Sequence, residues 1–178
     1  PEAYAAPGKA NRNKWHTLSG KIHLEEKPAI ENGKVKIASA SDVITTMSDN
    51  MVGVTTMTLN GDVNMMGASH GGISLKDRDF TLEGGNKVIS NLVSTEYATV
   101  GTSGVHANKQ YNSGLLGKIE GTANIVIENV EFDGLVMGSY EIGSSGILAG
   151  QIGSGVTLTV KNVTFKNCTI YGQNKVGI

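Results

Sequence analysis

The sequence predicts an all-β fold, a solenoid of stacked parallel strands, and three features of the chain support this prediction. An imperfect repeat brings residues 114–119 (GLLGKI) back as residues 146–152 (GILAGQI), and residues 125–132 (IVIENVEF) back as residues 158–165 (LTVKNVTF). Glycine is abundant at 24 residues, whereas proline has only 3. Short runs of alternating apolar and polar residues follow one another between Gly and Asn residues. A repeat of about 32 residues, as found here, is typical of solenoid proteins.

Composition limits the size and class of the protein. A chain of 178 residues fits one domain, or one domain with an arm. The net charge of −1 predicts no surface for nucleic acid. No apolar run approaches the ~18 residues that a membrane span needs. The single cysteine, Cys168, excludes an internal disulfide and makes a thiolate metal cluster implausible, and we expect it in the core.

The repeat predicts a triangular coil, that is, a right-handed parallel β-helix. Matched glycines at positions 114, 146 and 177 give a period of about 32 residues. Each repeat offers three short extended runs, which the sequence places at 115–119, 125–132 and 135–138, and then at 147–152, 158–165 and 169–171. Three strands per turn would stack successive turns about 4.8 Å apart through parallel pairing.

Matched positions of the two repeats are then expected to lie above one another. The expected pairs are Ile127 with Val160, Val130 with Val163, and Phe132 with Phe165. Alternation turns Ile125, Ile127 and Val130 inward, with a phase slip at 128–129 that a corner or bulge absorbs. Asn129 above Asn162 predicts a ladder in which each side-chain amide bonds its neighbour.

The first 40 residues differ from the rest, and we expect residues 1–40 to form an N-terminal arm or attachment segment. Loose alternation predicts strands near 15–24 and 35–37, joined by a hairpin-like turn at 31–34 (ENGK), because Asn-Gly favours the type I′ turn. Two interpretations of this segment stay open, an attachment segment or cap and a simple linker. Residues 41–178 are expected to form the N-terminal portion of the β-helix, which continues beyond Ile178.

A short helix is expected between the arm and the repeats. Ser41 and Asp42 are suitable N-cap residues, and Val43, Ile44, Met47 and Met51 follow at helical spacing. This predicts an amphipathic helix at about 42–51. Such a helix would cover the apolar end of a solenoid. Residues 93–112 are polar and irregular, and we expect a loop there.

Part of the chain resembles known families. Residues 80–92 (FTLEGGNKVISNL) resemble the first-coil phrase of pectate-lyase-like right-handed parallel β-helices. Residues 114–119 and 127–132 are similar to the Gly-Leu-rich repeats of large bacterial surface proteins. The resemblance covers about residues 41–178. It implies a fold shared by polysaccharide lyases and hydrolases, adhesins, autotransporter passenger domains and phage tailspikes, and this fold does not select among them.

The acidic residues give the nearest approach to a catalytic group. Asp77, Asp79 and Glu83 are the densest candidates, and Asp77 and Asp79 share a face if 76–82 is a strand, with Arg78 on the other face. A solvated turn is the favoured interpretation of 77–79. The acidic positions Glu128, Glu131 and Asp133 are replaced in the next repeat by Lys161, Thr164 and Lys166. This exchange predicts charge pairing between repeats. No acidic cluster has the spacing of a calcium loop.

Other candidate site residues are scattered. The histidines are His16, His23, His70 and His106, and none has a second metal ligand at suitable spacing. Residues 69–72 (SHGG) predict a turn-rich loop and not a phosphate loop. The glycosylation sequon occurs at Asn162 and Asn167, matches that arise by chance in a chain rich in Asn and Thr. The tyrosines that are expected in or near loops, where they would stack on sugars or simply lie at the surface, are Tyr97, Tyr111, Tyr140 and Tyr171. The sequence therefore predicts no catalytic residue, no metal site and no cofactor.

Three functions remain open on the sequence alone. The leading expectation is a secreted, cell-surface or virion scaffold that is non-enzymatic in residues 1–178 and binds a glycan or another host or cell-surface ligand, with loops such as 93–112 on display. One alternative is a polysaccharide lyase or hydrolase, or a phage tailspike depolymerase, with its active site beyond residue 178. The other is a structural fibre component that is anchored or self-associates through residues 1–40. Nucleic acid and membrane spans are not expected.

Overall fold

The part of the chain that the structure describes is rich in β-strands and contains one helix. The computed structural model describes residues 27–48, 52–67, 73–96, 112–139, 144–172 and 175–177, and most of these lie in strands. The elements are β1 Ile30–Glu31, β2 Lys34–Ile37, α1 Ala40–Ser48, β3 Thr56–Leu59, β4 Val63–Asn64, β5 Ile73–Lys76, β6 Phe80–Ser90, β7 Val93–Glu96, β8 Asn112–Ser113, β9 Leu116–Glu120, β10 Ala123–Asp133, β11 Val136–Ser139, β12 Ser144–Gly146, β13 Ala149–Ile152, β14 Val156–Lys166, β15 Thr169–Gly172 and β16 Lys175–Gly177.

The described strands form four sheets with mixed pairing. The largest sheet has the order β1-β2-β3-β6-β10-β14, with β4 also paired to β6. The other three sheets are β5-β9-β13, β7-β11-β15 and β8-β12-β16. Within the described chain, the hairpin β1–β2 is antiparallel and the other pairs are parallel. The expectation of three strands per repeat is wrong, because a short fourth strand, β8, β12 or β16, precedes each Gly-Leu phrase.

The register between the two repeats is the one that the sequence predicts. Strands β10 and β14 pair in parallel, and the three expected pairs are confirmed: Ile127 with Val160, Val130 with Val163, and Phe132 with Phe165. Partners in these strands are 33 residues apart, as in the side-chain bond between Asn129 and Asn162. The period of about 32 holds at the glycines, where Gly146 pairs with Gly177 and Ser144 with Asn112. The period rises to 33 because GILAGQI in the second repeat has one residue more than GLLGKI in the first.

The core contains the inward side chains of the long strands, together with buried residues of the shorter strands and of helix α1. Ile125, Ile127 and Val130 are buried, which confirms the predicted inward face. The rings of Phe132 and Phe165 are stacked, with centroids 5.7 Å apart and planes at 11°. Strand β6 contributes the third member of each column of core residues. These columns are Phe80, Ile125 and Leu158; Leu82, Ile127 and Val160; and Ile89, Phe132 and Phe165.

Asparagine in left-handed backbone conformation marks the bend inside each long strand. Asn129 has φ 54° and Asn162 has φ 51°, a region that Asn tolerates better than most residues. The register of β10 against β6 shifts at this point, between Glu128 and Val130, so the predicted phase slip is confirmed. The Asn162 amide donates to the Asn129 carbonyl oxygen at 2.9 Å. The predicted Asn ladder is therefore present.

The N-terminal part begins the largest sheet. The turn between β1 and β2 has left-handed Asn32 and Gly33, as a type I′ turn requires. The first strand of the hairpin is β1, whereas the strand expected at 15–24 lies outside the described residues. Strand β2 then pairs in parallel with β3. Residues 30–37, which the sequence assigned to the arm, thus lie in the same sheet as the repeats.

The helix begins two residues before its expected start. The Asp42 amide donates to Ser39 Oγ at 3.2 Å, and Asp42 Oδ2 accepts from the Ser39 amide at 3.0 Å. These reciprocal bonds form a capping box with Ser39 as the N-cap, so Asp42 belongs to the first turn and is not the cap. Val43 is buried in the core and Ile44 packs partly against it. The expected continuation at 49–51 lies outside the described residues.

The two stacked rings should differ in their effect on stability. Phe132 is fully buried, so Phe132→Ala should lower the free energy of unfolding by about 3–5 kcal/mol. Phe165 is half-buried, and Phe165→Ala should cost about 1–2 kcal/mol, less than a core site. Urea denaturation of both variants measures the difference. Equal costs would contradict the assignment of Phe132 to the interior of the stack.

Asn129 combines a backbone role with a side-chain role, and two substitutions separate them. Asn129→Gly keeps the left-handed conformation but removes the amide bonds, at a cost of about 1 kcal/mol. Asn129→Ala should cost about 1–2 kcal/mol more, because alanine disfavours this conformation. Asn86→Gly is the matched control, since Asn86 is also left-handed and is exposed. If the control loses as much stability as Asn129→Gly in urea denaturation, the amide ladder contributes nothing.

Candidate functional site

The outward side chains of β6, β10 and β14 form an in-register polar surface of the described chain. We define the outer face by Glu83, Glu128, Glu131, Lys161 and Lys166, which alternate with the core residues of these strands. Glu128 is in register with Glu83 on one side and with Lys161 on the other. Parallel pairing thus aligns three charged side chains across the sheet.

Glu83 is held by hydrogen bonds. The Gly85 amide donates to Glu83 Oε1 at 2.9 Å, and the Asn129 amide donates to both carboxylate oxygens at 3.2 and 3.3 Å. The Gly85 bond is the main cause that lowers the pKa of Glu83, with burial acting in the opposite direction. Smaller contributions that lower this pKa come from the side chains of Asn129, Glu128 and Lys161. Glu83 is therefore the acceptor at which the Asn129–Asn162 ladder begins.

Opposite charges of successive repeats pair on the outer face, as the sequence predicts. Lys161 Nζ lies 3.8 Å from a Glu128 oxygen, and Lys166 Nζ lies 2.7 Å from a Glu131 oxygen. The hydrogen bond to Glu131, followed by the charge of Glu131, raises the pKa of Lys166. Each pair is at least partly exposed, so solvent screens the attraction and the pair contributes little to stability. The pairs fix the arrangement of charge more than they stabilise the fold.

Residues 77–79, which carry Asp77 and Asp79, form a turn, as the favoured interpretation of the sequence predicts. Strand β5 ends at Lys76 and β6 begins at Phe80. Asp77 Oδ1 accepts from the Thr122 amide at 2.9 Å, and Asp79 Oδ1 accepts from the Asn124 amide at 2.7 Å. These carboxylates bind the backbone of the next repeat and do not converge with Glu83 as a catalytic group.

Many residues that the sequence singled out lie outside the described residues. They are His16, His23, His70, His106, Tyr97, Tyr111, Tyr140, residues 69–72 and most of the expected loop 93–112. The expectation of a loop is wrong at residues 93–96 and 112, which lie in strands β7 and β8. Tyr171 is described, and it is half-buried in β15 beside Gly138. Its expected contact with sugars stays a prediction.

The two sequon asparagines and the cysteine have structural contacts. The amide nitrogen of Asn162 is used in the ladder, and that of Asn167 donates to Asp133 Oδ1 at 2.8 Å. Glycosylation at either position would replace a hydrogen bond between repeats. Cys168 is half-buried and packs against the core, with its Sγ 3.2 Å from the Lys166 carbonyl oxygen.

A buried polar group that the sequence did not predict lies where two sheets meet. Ser113 Oγ donates to the Ser94 carbonyl at 2.6 Å and accepts from the Gly138 amide at 2.9 Å, so it joins β7, β8 and β11. Among the described residues, Ser94 Oγ and Asn112 Oδ1 are buried without a hydrogen-bond partner. The signal was present: NSGLL at 112–116 and SSGIL at 144–148 extend the repeat by two residues towards the N-terminus.

The described residues hold neither a metal-binding cluster nor a membrane-spanning helix. They include no group of three or more His, Cys, Asp or Glu side chains arranged to hold a metal ion. Helix α1 has nine residues, and within the same ranges no helix is long and apolar enough to cross a membrane.

Comparison of the chain with protein-family models, with curated proteins and with solved structures finds no match.

Glu83 should make the stability of the fold depend on pH. Its folded-state pKa is lowered, so its stabilising contribution is present above the ordinary value of about 4.3 and is lost as the pH falls through the folded-state pKa. Glu83→Gln should therefore be less stable than the unaltered chain at neutral pH, and the difference should shrink in acid. Urea denaturation at several pH values measures it.

The matched control is Glu31→Gln, which changes an exposed carboxylate on the hairpin. The control should leave the stability at neutral pH almost unchanged. A stability difference for Glu83→Gln that stays constant from about pH 7 to about pH 3 would contradict the role of Glu83 as an ionised acceptor.

Proposed function

We propose that the chain is part of a right-handed parallel β-helix in a secreted, cell-surface or virion protein. We further propose that it is a non-enzymatic scaffold for adhesion or glycan recognition. The observation that carries the proposal is the in-register outer face, on which Glu83, Glu128 and Lys161 form one row across three parallel strands. This arrangement gives an extended surface with regularly spaced polar groups.

Two observations support the fold in its finer form. Strands at matched positions of successive repeats pair in parallel in all four described sheets. Connections between parallel strands of one sheet are right-handed in about 98% of cases, which supports a right-handed coil. The resemblance of residues 80–92 to pectate-lyase-like proteins agrees with this form.

The chemistry of the outer face suits a polar polymer. Sugar hydroxyl groups both donate and accept hydrogen bonds. Carboxylates such as Glu128 accept, and ammonium groups such as Lys161 donate. Strand spacing of about 4.8 Å presents these groups at regular intervals along the stack. An extended chain of sugars could therefore contact several repeats at once, and each contact would add to affinity without a deep pocket.

A glycan-cleaving enzyme is the second candidate, and one observation favours it. Glu83 and Glu128 are in register on adjacent strands, and retaining glycosidases use two carboxylates about 5–5.5 Å apart. However, a general acid needs a raised pKa, whereas hydrogen bonds lower the pKa of Glu83. We therefore favour binding over cleavage. The third possibility, a fibre component anchored through residues 1–40, stays a prediction because 1–26 lie outside the described residues.

Glycan binding can be tested by applying the fluorescently labelled chain to an array of bacterial and mammalian glycans. The variant Glu128→Gln with Lys161→Gln keeps the net charge and removes two charged groups of the outer face. We expect binding to at least one class of glycan by the unaltered chain. Binding by the variant should be at least about tenfold weaker, because the loss of even one charged hydrogen bond, about 1.5–3 kcal/mol, corresponds to a factor of about ten or more.

The matched control is Lys118→Gln with Glu120→Gln, which removes an ion pair of 2.7 Å from β9, outside the outer face. This control should bind as the unaltered chain does. No binding to any glycan, or equal loss in the control, would contradict the proposed surface. If the chain shortens a bound polysaccharide and Glu83→Gln abolishes this cleavage, the protein is an enzyme and the scaffold proposal is wrong.

A further inference from the structure

The described asparagines differ in whether hydrogen bonds hold their side chains. Most of them are held, as in the ladder of Asn129 and Asn162. The exceptions within the described ranges are Asn32, Asn60 and Asn86, whose side chains are exposed and make no hydrogen bond. Asparagine is a thermolabile residue, and an exposed amide without a partner is open to chemical change. These three asparagines are therefore the candidates for a modification.

The residue that follows an asparagine decides how readily its amide reacts. The backbone nitrogen of the next residue attacks the side-chain carbonyl carbon and forms a C–N bond, and the side-chain nitrogen leaves as ammonia with the proton of the attacking nitrogen. Water then opens the resulting succinimide at either carbonyl, which gives aspartate or isoaspartate and requires no other reactant. A side chain on the next residue obstructs the attack, whereas glycine has no Cβ. Asn32 and Asn60 each precede a glycine, and Asn86 precedes Lys87.

The hairpin between β1 and β2 restrains the first of these dipeptides. Asn32 and Gly33 both have left-handed backbone, with φ 51° and 76°. The Gly33 carbonyl accepts from the Thr55 amide at 2.7 Å, from Thr55 Oγ1 at 3.1 Å and from the Thr56 amide at 3.0 Å. Closure of the succinimide requires rotation about the bonds of Asn32. The antiparallel strands and the bonds to Gly33 resist this rotation, so the turn must open before the reaction can occur.

The bend at Asn60 and Gly61 leaves the reacting atoms unrestrained. It joins β3 to β4, and neither residue has left-handed backbone. The backbone amide of Asn60 donates to the Ile37 carbonyl at 2.8 Å, which holds the bend on its N-terminal side. No group of the described chain accepts from the Gly61 amide. Apart from its chain neighbours, no described atom lies within 4 Å of the position that a Cβ on Gly61 would take. The attacking nitrogen is thus unbonded and unobstructed.

We infer that Asn60 is the site at which this chain deamidates, through a succinimide closed by the Gly61 nitrogen and opened by water. Asn32 is followed by the same residue, but its turn protects it. The product carries a new negative charge close to Asp62 in the chain. In the isoaspartate form, the main chain between β3 and β4 is longer by one methylene group. The inference does not depend on glycan binding by the outer face.

The longer link lies between two strands that are both fixed on β6. Strand β3 pairs with β6 before the link, and β4 pairs with β6 after it. Leu59 and Val63 are buried, so neither strand can slide without exposing core residues. Residues 60–62 must therefore absorb the additional atom. In this range Asp62 Oδ1 accepts from the Val88 amide at 3.0 Å, and we expect isoaspartate at position 60 to weaken that bond.

The test incubates the full folded chain at mildly alkaline pH and follows the three asparagines by mass spectrometry of its peptides. Deamidation raises the mass of a peptide, and an isoaspartyl methyltransferase labels isoaspartate alone. We expect Asn60 to convert at least about tenfold faster than Asn32 and Asn86, with isoaspartate among its products. In guanidinium chloride the protection of the turn is lost, so Asn32 should react about as fast as Asn60 while Asn86 stays slow.

The variant Gly61→Ala tests the mechanism. Gly61 has no left-handed backbone and its surroundings leave room for a Cβ, so the fold should be unchanged. The Cβ should slow conversion of Asn60 by about tenfold or more and leave the rate at Asn32 as it was. In the unaltered chain, hydrogen exchange at the Val88 amide should become faster as isoaspartate accumulates.

Three results would overturn the inference. The first is conversion of Asn32 as fast as that of Asn60 in the folded chain. The second is conversion of Asn60 in guanidinium chloride only. The third is an unchanged rate at Asn60 in Gly61→Ala. Because the comparison of folded and unfolded chains uses no variant, it decides the inference even if Gly61→Ala does not fold.

Discussion

Parallel pairing at a fixed offset places each side chain of one repeat beside its counterpart in the next, and this constraint governs the described fold. Apolar positions must pack against apolar positions, as Phe132 does against Phe165. Amides must bond amides, as Asn162 does Asn129. Charged positions need a partner of opposite sign, and Lys161 supplies one for Glu128. A residue that suits only one repeat would disturb two strands at once, so the repeat in the sequence follows from the stack.

The column from Glu83 through Asn129 to Asn162 links the core to the outer face. The left-handed conformation of Asn129 bends the strand and lets Val130 turn inward after Ile127. The amide of the same residue reaches the Glu83 carboxylate on the outer side. An ionised carboxylate accepts hydrogen bonds and donates none, so Glu83 fixes the direction of the ladder. The polarity of the stack and the charge of its surface thus have one physical origin.

The sequence predicted the register well where two segments repeat closely, and less well elsewhere. The pairs along β10 and β14 follow directly from IVIENVEF and LTVKNVTF. In β6, residues 84–86 stand opposite Asn129 alone, and this insertion hid the contact between Glu83 and the ladder. Strands β8 and β12 are two and three residues long, too short for a periodic pattern. Ser39 was missed as the N-cap because Ser41 and Asp42 satisfy the same rule, and only the reciprocal bonds distinguish them.

The fold requires that residues 33 apart in β10 and β14 are direct neighbours. Nuclear Overhauser effects measured in the isotopically labelled chain report this proximity. We expect cross-peaks between the side-chain amides of Asn129 and Asn162 and between the rings of Phe132 and Phe165, together with backbone contacts in parallel order along both strands. Contacts in antiparallel order, or a register displaced by even one residue, would contradict it, because a slip of one residue turns every inward side chain to the opposite face.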